Sequence, residues 1–151
     1  MDVSSPYLEI RDSPGRGRGV FAATAIPSRA VITVSPILRF SHEEYAAHGQ
    51  HTALAHYAFV WRDQQPPSMA LALGLGSIFN HAREPSAGWE CDIEGQVIRY
   101  ISLRAISKGE EVFISYGPSL WFKDEGEGSE AEGEAEEKED PAAFLGALSP
   151  A

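Results

Sequence analysis

Two short stretches carry residue types that could hold a small ligand. They are Asn80-His81, which ends the run Met69–Phe79, and Gly15-Arg16-Gly17-Arg18-Gly19 near the N-terminus. An asparagine carries two donors and an acceptor, enough to read one face of a purine and a nearby backbone group together. A histidine offers the same ligand a ring nitrogen or its backbone. Closely spaced glycines let the backbone take φ > 0 and lie against a ligand, with amides and carbonyls free to bond it. The phosphate-binding dinucleotide fingerprint is excluded, because the third glycine of Gly-x-Gly-x-x-Gly is missing. The chemistry these residue types could do is recognition of a small polar molecule. Each feature alone also has a plain reading, as a turn capping a buried element or a tight turn between strands. His42, His48, His51 and His56 cluster in sequence, but no carboxylate or cysteine joins them at ligand spacing, so they are read as structural or exposed and no metal site is assigned.

The elements that must position these residues read as short strands. Tyr7-Leu8-Glu9-Ile10 alternates, and Ser13-Pro14-Gly15 breaks it into the glycine loop before Val20-Phe21-Ala22. Ile26–Ala30 is a turn into the β-branched strand Val31–Ser35, which Pro36 is expected to limit. Ser41-His42-Glu43-Glu44 has capping-box spacing and predicts a short helix to about Ala47, ended by Gly49. Tyr57–Trp61 alternates as a strand that would put Tyr57, Phe59 and Trp61 on one wall. Met69–Phe79 is expected to be buried throughout. Glu90–Ile93, a turn at Glu94-Gly95 and Gln96–Leu103 predict a hairpin, and Lys108-Gly109 turns the chain into a strand over Glu110–Tyr116.

A chain of 151 residues holds one compact domain. The lone Cys91 supports neither an internal disulfide nor a cysteine-held zinc, so the core must be self-sufficient. No 18-residue apolar run and no signal-like N-terminus is present, and a soluble intracellular protein with no membrane partner is expected. The formal charge of −10 is concentrated: Asp124–Asp140 carries ten acidic residues against Lys138, leaving residues 1–123 near −1. Such a body has no evident nucleic-acid site. The acidic stretch is expected to be disordered, serving solubility or attracting a basic substrate tail.

Taken in order, Gly15-Arg16-Gly17-Arg18-Gly19-Val20-Phe21-Ala22, then Gly74–Phe79 ending in Asn80-His81, then Ile106-Ser107-Lys108-Gly109-Glu110-Glu111-Val112-Phe113-Ile114-Ser115-Tyr116-Gly117 resemble the core of SET-domain protein lysine methyltransferases. The three pieces cover most of residues 7–122. The resemblance implies a mostly β domain over residues 1–123, made of small sheets with short helices, followed by an acidic tail over 124–151. It also implies a knot-like passage of the segment ending at Tyr116 through a loop of the preceding chain. By the same resemblance Arg16, Gly17, Arg18 and Gly19 cradle the methionine end of S-adenosylmethionine, Asn80 and His81 contact its adenine end, and Trp121 and Phe122 cover the site. Tyr57, Ile114 and Tyr116 line the lysine channel. The family's Ser-Cys-x-Pro-Asn after Asn-His is here Ala82-Arg83-Glu84-Pro85-Ser86, in which only Pro85 matches.

The implied cofactor carries an activated methyl, so the protein supplies alignment. The acceptor lysine must be neutral, a state held by only about one in a thousand near pH 7.4 and a handicap of roughly 4 kcal/mol. An apolar channel reduces that handicap by disfavouring the ammonium. Tyr116 is implied as the catalytic residue, its hydroxyl orienting the amine where methyl and sulfur meet. The expected substrate is a basic protein tail, with a histone foremost and nuclear location following, the cytoplasm being a second compartment. Without a cysteine-rich flank, closure falls to Trp121, Phe122 or a second copy in a homodimer. The rival reading is a catalytically silent SET-like interaction module, motivated by the altered loop 82–86. An all-β module unrelated to methyl transfer is a more distant third.

Overall fold

The computed structural model describes residues 5–115. Strand β1 (Leu8–Ser13) and β2 (Gly17–Ala22) form an antiparallel hairpin in the register Leu8↔Ala22 to Ser13↔Gly17. Its turn is closed by Arg16 N–H donating to Ser13 O at 3.0 Å. Gly15 and Gly17 sit at φ of 76° and 75°, left-handed conformations that a β-carbon disfavours.

The main sheet has five antiparallel strands in the order β4-β5-β3-β8-β7. They are β3 (Val31–Phe40), β4 (Phe59–Trp61), β5 (Ser68–Ala72), β7 (Ala87–Asp92) and β8 (Val97–Ser102). Pro36 does not end β3 as expected. The strand pairs with β8 through residues 31–36 and with β5 through 37–40, so the proline, which has no N–H, stands at the exchange of neighbours. Its carbonyl still accepts from Leu73 N–H at 2.8 Å.

Helix α1 (His42–Ala47) follows β3, with Ser41 Oγ accepting from Glu44 N–H at 3.0 Å as the capping pattern predicts. Two 3-10 turns, Gly49–His51 and Ala53–His56, lead to β4. The strand begins at Phe59 rather than Tyr57. Phe59 and Trp61 are buried, whereas Tyr57 closes the preceding turn and is exposed, so the single aromatic wall does not form. Met69–Phe79 is likewise not uniformly buried. Ser68, Ala70 and Ala72 face the core and alternate with half-buried Met69 and Leu71, then Leu73 is exposed before a 3-10 turn over Gly74–Ser77.

Strand β6 (Asn80–His81) pairs in parallel with β9 (Phe113–Ile114). The strand expected over Glu110–Tyr116 is thus short within the described residues. The chain just before β9 instead borders β2, with Gly109 N–H to Ala22 O at 2.7 Å, Ala22 N–H to Glu110 O at 2.8 Å and Val112 N–H to Val20 O at 2.8 Å.

The core joins the three sheets through Val20, Ala22, Ile26, Ile32, Trp61, Phe79, Ile98, Tyr100, Ile106, Val112 and Ile114, each almost wholly removed from water. Burial of each large aliphatic or aromatic side chain contributes about 1.5–3 kcal/mol before the entropy cost of ordering it. The Phe79 and Tyr100 rings lie 4.8 Å apart, and Tyr100 O–H donates to Gly76 O at 3.3 Å. This contact anchors the segment that delivers Asn80.

Candidate active site

Beyond Val20, the inner edge of β2 leaves its partner chain, and the side chain of Asn80 takes over. Asn80 Nδ2 donates to Arg18 O at 3.0 Å and to Glu111 Oε1 at 2.8 Å. A backbone carbonyl and a carboxylate only accept, so the NH2 group of Asn80 must face them, and its Oδ1 is left as an acceptor. Glu111 is braced in turn by Ser13 Oγ, which donates to Oε2 at 2.9 Å. A β-carbon built on Gly19 would lie 2.3 Å from Glu111 Oε1 and 3.0 Å from Asn80 Nδ2. A side chain at position 19 would therefore displace the Glu111 carboxylate, and one at position 17 would be disfavoured by its backbone angle.

Arg16 ties the hairpin turn to β6. Its guanidinium donates to His81 O at 2.7 Å and stands over the Phe113 ring, 5.2 Å from the centroid. His81 is buried and registers opposite Ile114, which is fully buried.

The segment 80–89 grips residues 113–115 from two sides. On one side β6 pairs with β9 and Ala82 N–H donates to Ile114 O at 3.1 Å. On the other, Ser86 N–H donates to Phe113 O and Phe113 N–H to Ser86 Oγ, both at 3.1 Å, while Trp89 Nε1–H donates to Ser115 O at 3.2 Å. Trp89 is held edge-on against Phe59, with centroids 4.6 Å apart.

The SET domain family model matches residues 17–117. A Schizosaccharomyces pombe protein named histone-lysine N-methyltransferase, H3 lysine-37 specific, is 48% identical over 138 residues, covering 91% of each chain. The chain belongs to the SET-domain family. A crystal structure of a Plasmodium falciparum protein, named as a candidate histone methyltransferase, is also similar. It shares 27% identity at a TM-score of 0.61 and covers 77% of this chain and 97% of its own.

As a SET domain, the molecule brings Arg16, Gly17, Arg18, Gly19, Asn80 and His81 into one junction. The glycine loop and Asn80 meet here through one hydrogen bond, from Asn80 Nδ2 to Arg18 O. Ile114 lies beside that junction in the core, and Tyr57 stands exposed at the end of a 3-10 turn. Tyr116, Trp121 and Phe122 lie outside the described residues. Glu111, Ser13, Ser86 and Trp89 were not singled out by sequence reasoning. Ser86 replaces the asparagine of the SET motif and nevertheless supplies both donor and acceptor to Phe113, so the altered loop still holds β9. Among the described residues no group of three or more His, Cys, Asp or Glu side chains is placed to hold a metal.

Proposed function

We propose that this SET domain is an S-adenosylmethionine-dependent protein-lysine N-methyltransferase acting on a histone, with H3 the first substrate to test because the 48%-identical relative carries H3 lysine-37 in its name. The observation that carries the reading is the junction itself. Asn80 bonds the carbonyl of Arg18 while β9 runs alongside β6 towards Tyr116.

The residues present fit the cofactor. A β-carbon at Gly17 would meet nothing within 4 Å, so open space adjoins this exposed glycine, and the Asn80 Oδ1 remains an acceptor on the residue that bonds the neighbouring Arg18 carbonyl. Gly17, Arg18, Gly19, Asn80 and the backbone of His81 would hold it, with Trp121 and Phe122 covering it. When bound, it supplies an activated methyl group on a cationic sulfur.

The remaining work belongs to the chain. Tyr57, Ile114 and Tyr116 line the lysine channel in this reading, and its apolar surroundings favour the neutral amine. The Tyr116 hydroxyl orients the amine for in-line attack, and the fixed hydrogen bonds around 113–115 hold that geometry without reorganisation. The acidic stretch 124–140 attracts the basic tail of the substrate. We place the enzyme in the nucleus with its substrate, and a second copy of the chain completes the channel in a homodimer in this reading.

The test is incubation of the full chain with labelled S-adenosylmethionine and a mixture of core histones and nucleosomes. Label on a histone band supports the reading. Cofactor binding by calorimetry without label on any protein favours the silent interaction module, for which the altered loop 82–86 is the specific observation.

A further inference from the structure

Glu111 is the most heavily engaged carboxylate near the junction, and no step above uses it. One oxygen accepts from Asn80 Nδ2 at 2.8 Å and the other from Ser13 Oγ at 2.9 Å. Its backbone is bridged to Phe21 of β2, so the side chain is delivered from a fixed point. Gly19 leaves room for it, since a β-carbon there would lie 2.3 Å from Oε1. An asparagine amide can turn over, exchanging oxygen and NH2, unless its partners forbid it. Arg18 O already disfavours the turned amide, and the Glu111 carboxylate adds a second acceptor, at 2.8 Å, against which a turned Oδ1 would be set.

We infer that Glu111 is a positioning residue for cofactor binding: it locks the Asn80 amide with NH2 inward and presents Oδ1 as a fixed acceptor for a donor on the ligand. Ser13 holds the carboxylate in place, so the order runs from β1 through Glu111 to Asn80. This inference rests on the reading that Asn80 meets S-adenosylmethionine.

Calorimetric titration of the full chain with S-adenosylmethionine tests it, with thermal unfolding of each variant as the folding control. Glu111→Ala is expected to weaken binding about tenfold, the scale of one charge-assisted hydrogen bond. Glu111→Gln, which keeps an acceptor for Asn80, is expected to recover most of that loss. In an Asn80→Ala background, Glu111→Ala is expected to add nothing further, a result that a purely structural role would not give. In the methylation assay the Michaelis constant for the cofactor rises while kcat at saturation stays near the native value. The inference is overturned if Glu111→Ala binds like the native chain, if Glu111→Gln is as weak as Glu111→Ala, or if the loss persists in full beside Asn80→Ala. Failure of the native chain to bind the cofactor would instead remove the reading on which the inference stands.

Discussion

Trp89 reaches across from β7 to hold Ser115, its indole N–H donating to the Ser115 carbonyl at 3.2 Å. That carbonyl immediately precedes Tyr116, so the packing of Trp89 against Phe59 is linked by one hydrogen bond to the backbone of the proposed catalytic residue. Trp89→Phe keeps an aromatic ring against Phe59 and deletes the donor. Stability is expected to fall by about 2 kcal/mol, because a part-buried hydrogen bond is lost and a smaller ring fills the place of the indole. With Tyr116 less firmly aimed, kcat should fall about tenfold while the Michaelis constant for the cofactor changes little. Steady-state kinetics beside a denaturant titration separate the two effects, and a native kcat would break the link from Trp89 to Tyr116.

Gly19→Ala introduces a methyl group 2.3 Å from Glu111 Oε1 and 3.0 Å from Asn80 Nδ2. The carboxylate must move, and the Asn80 contact moves with it. We expect cofactor affinity to drop about tenfold, as for loss of one charged hydrogen bond, measured by calorimetry. Undiminished affinity would show that the junction tolerates displacement and does not bind the ligand through Asn80.

Acid sensitivity should trace in part to two carboxylates away from the junction. The side-chain hydrogen bond from Arg104, with the Ser107 N–H at 2.9 Å, holds Glu110 below its ordinary value. The Gly95 N–H at 2.7 Å and then Arg99, also at 2.7 Å, do the same for Asp92. A depressed folded pKa stabilises above the unfolded value, and the contribution is lost as pH falls through the folded one. The Tm difference between the native chain and an Asp92→Asn/Glu110→Gln variant should therefore be constant from pH 7 to about pH 5 and shrink below about pH 4. A difference that stays constant down to pH 3 would deny these two groups the role.

Much of this architecture was legible because local chemistry and tertiary context agree. Ser41 caps α1 as its spacing requires, and the turn between Asp92 and Val97 forms where Glu94-Gly95 predicts it. The misses have physical causes. Pro36 was read as a strand end because the change of partner from β8 to β5, which makes its missing N–H harmless, is a long-range fact. The strand at Tyr57–Trp61 starts late because Thr52 nucleates a 3-10 turn first, its hydroxyl accepting from Leu54 N–H at 3.2 Å. Residues 110–112 read as part of the last strand, and their partner is the edge of β2. At the candidate site the asparagine and glycines were visible as residue types. Glu111 was not, because only folding brings it to Ser13, 98 positions away, and to Asn80.

The central claim is transfer of a methyl group that depends on the Tyr116 hydroxyl. The decisive measurement is label transfer from S-adenosylmethionine to histone H3, free and in nucleosomes, by the native chain and by Tyr116→Phe at equal cofactor occupancy. The account predicts label on H3 with the native chain and a loss of at least about a hundredfold in kcat with the variant, while cofactor affinity is retained. Equal transfer by the two proteins would contradict it.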